Sequence, residues 1–271
     1  MDLSTIVGFV LGIGLIALGA VLEHIEFGSL VGPSAFLIVV GGSIGATVLS
    51  HTMEDLKGFA AASKLAFVKQ KLDYRGMIDT LAELAEKARR GGLLSLQNDA
   101  ESAPNPVVKR GLSMAVDGAD PEKIQVVLDA MIAHETRELT HAANMYDTAG
   151  GYSPTLGILG TVMGLVTIMG NLSEPDTLGP AIAVAFLATL YGVFFANLVF
   201  LPLGAKIKLV INQKKQFNEM IVTGLIGLQS GENPRALRER LEIYAGHAAH
   251  EKPKGKGKGK EESAAAAEGG A

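Results

Sequence analysis

Hydrophobic and polar positions are separated along this chain into long blocks. Four stretches, Leu3–Leu22, Leu30–Ser50, Tyr152–Gly170 and Ala181–Ala205, contain no Asp, Glu, Lys, Arg or His. They run from 19 to 25 residues, and a helix of ~20 residues crosses the ~30 Å hydrocarbon core of a bilayer. A single run of this kind could be a buried helix of a soluble protein. Four predict four transmembrane helices.

The polar blocks carry a helical rhythm of their own. Ile78, Leu81, Leu84, Ala85 and Ala88 recur at helical spacing, with Asp79, Glu83, Glu86 and Lys87 between them. Pro106 to Val116 puts Val108, Leu112 and Val116 on one side. At Asp120-Pro121 an N-cap residue precedes proline at a first helical position, followed by the face Ile124, Val127, Leu128, Met131 and Ile132, which continues toward Tyr146. Beyond the fourth run Ile207, Val210, Ile211, Phe217 and Ile221 extend the helix to Gln229, and Gly231 stops it. Asn233-Pro234 starts a short amphipathic helix with Leu237, Leu241 and Tyr244. Strand alternation is absent.

The pattern predicts an all-α integral membrane protein: four transmembrane helices, a large helical cytoplasmic loop and a helical C-terminal extension. Residues 1–50 hold spans one and two, 51–150 the loop, 151–205 spans three and four, and 206–245 the extension. Residues 246–271 form a Lys/Gly/Ala-rich tail whose composition cannot build a core and reads as disordered and solvated.

Charge sets the orientation. All 24 Lys and Arg lie in Lys57–Arg137 and Lys206–Lys260, whereas the short connectors Glu23–Ser29 and Asn171–Pro180 carry Glu23, Glu26, Glu174 and Asp176 and no base. The basic regions belong inside, so both termini are expected in the cytoplasm. The first run lacks a basic leader and is long enough to span, so it is expected to stay rather than be cleaved as a signal peptide.

Composition narrows the chemistry further. The chain of 271 residues has no cysteine, which excludes disulfides and zinc–thiolate sites, and a net charge of −4 offers no general attraction to nucleic acid. No phosphate-binding glycine loop, HExxH pair or nucleophile elbow is present, so neither enzyme activity, nor a cofactor, nor a metal site is expected. His134 and His141, seven apart, read as a solvated face. The spans hold no carboxylate or imidazole. A proton relay needs such a group at membrane depth, so any titrating group must come from another chain.

What the spans do hold is hydroxyls and small residues. Ser43, Thr47, Thr155, Thr161, Thr167, Thr189, Tyr191 and Asn197 are their notable polar residues, and a membrane Ser or Thr usually bonds its own i−4 carbonyl. Gly8/Gly12, Gly41/Gly45 and Gly160/Gly164 have the spacing at which helix backbones approach closely. Pro154 is expected to open the third span. Pro202 is expected to close the fourth and to kink a helix that continues past it.

Three stretches carry a family resemblance: Gly151-Tyr-Ser-Pro-Thr-Leu-Gly-Ile-Leu-Gly-Thr-Val-Met-Gly-Leu165, Gly179-Pro-Ala-Ile-Ala-Val-Ala-Phe-Leu-Ala-Thr-Leu-Tyr-Gly192, and Ala196-Asn-Leu running to Pro202. With Gly111-Leu, Val116-Asp-Gly and Asp120-Pro-Glu, and over almost the whole chain to about Tyr244, the sequence resembles the flagellar stator A-subunits of MotA/PomA type, within the wider MotA/TolQ/ExbB channel family. The resemblance implies a homopentameric ring around a MotB/PomB-type partner that is anchored to peptidoglycan and supplies the missing membrane aspartate. It implies that Thr161 and Thr189 face an ion path between spans three and four, that Pro154 and Pro202 couple protonation to movement, and that the cytoplasmic loop drives the rotor protein FliG. Sodium-type stators commonly carry a second threonine before the Thr189 position. Here Ala188 stands there, which points to protons. The rotor-facing pattern, a basic residue followed eight positions later by glutamate, is met by Arg89 and Arg90, but Gln97 takes the acidic place, and Asp99 and Glu101 are the nearby substitutes. An ExbB/TolQ-like energiser of outer-membrane processes is the alternative, although those relatives typically have three spans. A scaffold without an ion path is a third reading.

Overall fold

The computed structural model describes residues 3–68, 70, 72–170, 173 and 175–246. The tail reading over 247–271 and the Glu174 part of the second acidic connector lie outside the described residues. Within them the chain is helical with no strand, and four helical segments are long and apolar enough to cross a membrane: Leu3–Leu22, Phe27–Leu49, Pro121–Gly170 and Leu178–Gln229.

Helix α1 (Leu3–Leu22) buries none of its residues. Its apolar side chains would be untenable in water, and in lipid they need no protein partner. The second span is built from α2 (Pro33–Phe36), a π-helical stretch (Leu37–Gly41) and α3 (Gly42–Leu49). As expected for hydroxyls in lipid, Ser43 donates to the Val39 carbonyl and Thr47 to the Ser43 carbonyl, each one turn back.

The polar loop folds into α4 (Met53–Phe67), α5 (Tyr74–Gly91), α6 (Gln97–Ser102) and α7 (Pro106–Val116). Local chemistry sets their ends. Thr52 and Asp55 form a reciprocal capping box on α4, and the Thr52 hydroxyl and backbone N–H hold the Asp55 carboxyl below its usual range. Asp73 caps α5 through the Gly76 N–H, and Asn105 caps α7 with Pro106 at its first turn. Gly118 and Gly231 adopt φ of 76° and 71°, and the N–H groups that follow them reach back to the Met114 and Gly227 carbonyls to close helix C-termini.

Two pillars join this lobe to the membrane. Helix α8 (Pro121–Gly170) is one continuous helix of 50 residues, about 75 Å long at 1.5 Å per residue. The return pillar is α9 (Pro175–Phe194), a π-helical stretch (Phe195–Phe200) and α10 (Leu201–Gln229), after which α11 (Pro234–Ala245) folds back on the lobe. The lobe core is formed where the predicted faces meet: Leu81 of α5, Leu112 of α7, Ile124 and Leu128 of α8, Ile221 and Leu225 of α10 and Leu237 and Leu241 of α11 are all buried. Burying each such side chain contributes roughly 1.5–3 kcal/mol, which is why the amphipathic stripes settle against one another.

Both prolines lie within the pillars. Pro154 lies inside α8, and the boundary drawn at 150/151 falls within an unbroken helix. Flanking helix packing lets a membrane helix tolerate the missing N–H. Pro202 lies in the first turn of α10, directly after the π-helical stretch, where the Leu201 N–H bonds the Ala196 carbonyl five residues back. The widened turn accommodates a proline ring without ending the helix, so the pillar continues to Gln229.

Candidate functional site

Spans three and four meet along a seam of very small residues. On α8 these are Gly157, Gly160 and Gly164, and on α9 Ala185, Ala188 and Gly192. A Cβ placed on Gly160 would lie 2.6 Å from the Ala188 Cβ, one on Gly164 2.6 Å from the Ala185 Cβ, and one on Gly157 2.9 Å from the Ala188 carbonyl oxygen. No larger residue fits at these contacts, and the backbones touch because none is there. The other glycine pairs behave differently. Gly12 meets only the Leu198 side chain, and Gly8, Gly41 and Gly45 have no neighbour within 4 Å.

The close approach brings two hydroxyls together. The Thr161 and Thr189 oxygens stand 2.5 Å apart, and Thr161 also lies 3.1 Å from the carbonyls of Gly157 and Ala185. Each hydroxyl has one proton to donate, so the pair forms a short polar chain across the seam with oxygen lone pairs to spare. Both residues are half-buried, and no charged side chain of these spans stands beside them. Such a pair can pass or coordinate a cation but cannot store a proton. Ala188, the neighbour of Thr189, is only 1% exposed, packs against Gly160 and is part of the cluster with Ala35, Val39 and Leu187. It fills the seam and adds no oxygen.

On the far side of α9, Tyr191 works as a latch. Its hydroxyl accepts from the Gly32 N–H at 3.0 Å and donates to the Leu30 carbonyl. It thereby satisfies backbone groups at the start of the second span that lipid would leave unpaired. Phe36 and Phe195 pack edge-on around it.

Toward the polar lobe the seam is flanked by ion pairs that pattern reading did not single out. Lys208 of α10 pairs with Asp147 of α8, and Lys214 of α10 with Glu135 of α8 at 2.5 Å. Asp147 stands seven residues before Pro154 and Lys208 six after Pro202, a near-mirror placement on the two pillars that is the signal available in the sequence. The Lys208–Asp147 pair ties the pillars together just beyond both prolines, and the Lys214–Glu135 pair does so farther into the lobe.

The residues expected at the rotor contact lie on α5 and α6. Arg89 and Arg90 occupy the exposed last turn of α5, while Asp99 and Glu101 lie on α6. Asp99 is engaged by Lys87 at 2.6 Å, and Arg90 by Glu86 one turn earlier. Glu101 and Gln97 are exposed. Glu86 and Lys87 thus belong to the same charged surface as the four expected residues.

Comparisons with known proteins bear on the whole chain. Residues 99–220 match the profile of the MotA/TolQ/ExbB proton channel family, and residues 6–92 match that of the motility protein A N-terminal region. Over 253 residues the chain is 36% identical to YtxD, an uncharacterized protein of Bacillus subtilis (strain 168), covering 93% of both chains. It is 33% identical over 246 residues to motility protein A of the same organism, covering 90% of this chain and 91% of the relative. The C. jejuni MotAB structure superimposes with a TM-score of 0.87 at 30% identity, covering 91% of this chain and 97% of that one.

Proposed function

The chain belongs to the MotA/TolQ/ExbB proton channel family, and from that premise we propose that it is an ion-conducting stator subunit of the bacterial flagellar motor. It works with a MotB-type partner, in keeping with the MotAB complexes it is similar to. The observation that carries this reading is the Thr161–Thr189 pair, set in a seam without any ionisable group. A path that has hydroxyls but no carboxylate requires an acid from a second chain.

In this reading the partner is anchored to peptidoglycan and lends its membrane aspartate. Five copies of this chain surround it in the inner membrane, with both termini in the cytoplasm. Each proton that crosses ~150 mV releases roughly 3.5 kcal/mol. That is enough to shift the pillars about Pro154 and Pro202, where two backbone hydrogen bonds are already missing. The lobe then moves against the rotor protein FliG. The Thr161–Thr189 pair offers two side-chain oxygens and Ala188 none, which suits a proton better than a sodium ion that needs several oxygens to replace its water. Four spans favour the stator over an ExbB/TolQ-like energiser.

The test is tethered-cell rotation in the native host with this gene deleted and then restored. Paralysed flagella that turn again on restoration support the stator. Normal rotation in a host without a second stator rules it out. Rotation that tracks sodium and survives a protonophore would replace the proton by sodium. The charged surface at Arg89, Arg90, Asp99 and Glu101, with Glu86 and Lys87, is the proposed rotor contact. Reversing Arg89 and Arg90 to glutamate is expected to cut torque several-fold, since like charge placed in a complementary interface costs on the order of a few kcal/mol. Stability should change little at these exposed sites, within about 0.5 kcal/mol. Unchanged torque removes both residues from the contact.

A further inference from the structure

One buried hydroxyl in the spans differs from its neighbours. Ser43, Thr47, Thr161 and Thr167 bond the carbonyl four residues back, Thr155 the one three residues back, and Thr189 pairs with Thr161. Ser153 is fully buried, and among the described residues its oxygen has no hydrogen-bond partner. Burying a hydroxyl without a partner destabilises the arrangement that does so, relative to one in which water reaches it.

Its position gives the oddity a direction. Ser153, Gly157 and Thr161 follow each other at four-residue spacing on α8, so Ser153 lies on the seam about 12 Å from Thr161, toward the polar lobe. The seam is shut tightly here: a Cβ on Gly192 would stand 2.7 Å from the Ser153 carbonyl oxygen and 3.1 Å from the Pro154 Cα. One carbonyl nearby has lost its usual helical donor: Pro154 has no N–H for Gly150, which packs against Phe200 and Leu201.

We propose that Ser153 is the inner station of the proton path, sealed in the arrangement seen and wetted when α8 and α9 part at Pro154 and Gly192. This rests on the proton-path reading of the Thr161–Thr189 pair. Water entering the opened seam bonds the Ser153 hydroxyl and the donor-less Gly150 carbonyl. The Ser153 oxygen accepts a proton from water on the Thr161 side and releases its own to water on the lobe side, so no charge remains on it. The unpartnered hydroxyl also favours opening, because in the sealed arrangement it has no partner and in the open one water supplies it. Ser153 is thereby both a relay group and a bias on the gate.

The absence of cysteine from the chain makes the test clean. In membranes holding the complete complex with its partner, Ser153→Cys provides the only thiol of this subunit. Modification by a small water-soluble methanethiosulfonate, read from the mass of this chain, is expected to be about tenfold faster under an imposed proton gradient than without one. That factor corresponds to the loss of a single buried hydrogen bond's worth of bias. Ile158→Cys, on the exposed outer face of α8, should stay slow in both conditions. Ser153→Ala is expected to lower proton flux about tenfold with assembly intact. A Ser153→Cys thiol that is equally unreactive with and without the gradient overturns the proposal. So does a Ser153→Ala complex that melts higher and conducts normally, which is the behaviour of a mere packing defect. Thr161→Ala run in parallel separates the levels: if it too leaves flux unchanged, the proton path itself fails, and if it abolishes flux, only the role of Ser153 falls.

Discussion

Thr161→Ala and Thr189→Ala should each lower ion flux and stall torque about ten- to hundredfold while the subunit still assembles with its partner. The size follows from what is removed. Each hydroxyl offers a hydrogen bond that is needed most when charge passes, and leaving a buried polar or charged group without it costs roughly 1–3 kcal/mol, or one to two decades in rate. Folding loses much less. The backbone carbonyls near Thr161, those of Gly157 and Ala185, lie within helices that bond them independently, and the threonine contact is a second one. A net loss of about 1 kcal/mol in stability is the expected ceiling. Because the two oxygens lie 2.5 Å apart and share one contact, the double variant should lose distinctly less than the sum of the single losses. Flux into vesicles together with co-purification of the partner checks this. Normal flux in both single variants would leave a membrane scaffold as the reading of this chain.

Gly192→Ala and Gly157→Ala should each cost more than a methyl group added where it meets only a side-chain tip, as at Gly12. At Gly192 the new Cβ meets the Ser153 carbonyl oxygen at 2.7 Å and the Cα atoms of Gly157 and Pro154 at 3.1 Å. At Gly157 it meets the Ala188 carbonyl oxygen at 2.9 Å. All of these are backbone atoms, which cannot rotate aside as a side-chain tip does, so the pillars must separate. Overpacking of this kind costs about 1–3 kcal/mol, against an intrinsic helix gain for alanine of up to ~1 kcal/mol. The expected result is a lower melting temperature of the purified complex and loss of rotation, because the Thr161–Thr189 contact depends on the same approach. Gly8→Ala supplies the opposite sign, since nothing lies within 4 Å of it and only the helix gain acts. Equal melting temperatures for Gly192→Ala and Gly8→Ala would show that the seam tolerates a methyl group and is looser than the geometry requires.

The four spans, the faces of the loop helices and the stop at Gly231 were legible in the sequence, because each depends on periodicity, caps or breakers within a few neighbours. Asn233 begins a helix by bonding the N–H two residues on, and the missing membrane carboxylate needed only counting. Thr161 and Thr189 stood out by resemblance, and their contact followed. Other outcomes belong to tertiary structure. Of three glycine pairs with the same spacing, Gly160 and Gly164 meet a helix closely, Gly12 of the first pair meets one leucine, and Gly41 and Gly45 meet nothing. Ala188 packs into the seam because α8 runs unbroken through Pro154 and presents Gly160 to it. Asp99 found Lys87, Asp147 found Lys208 across 61 residues, and Ser153 found no partner among the described residues. Spacing along one helix determines which residues share a face. What that face meets depends on the rotation and depth of a helix formed elsewhere in the chain, and only the packed molecule sets those.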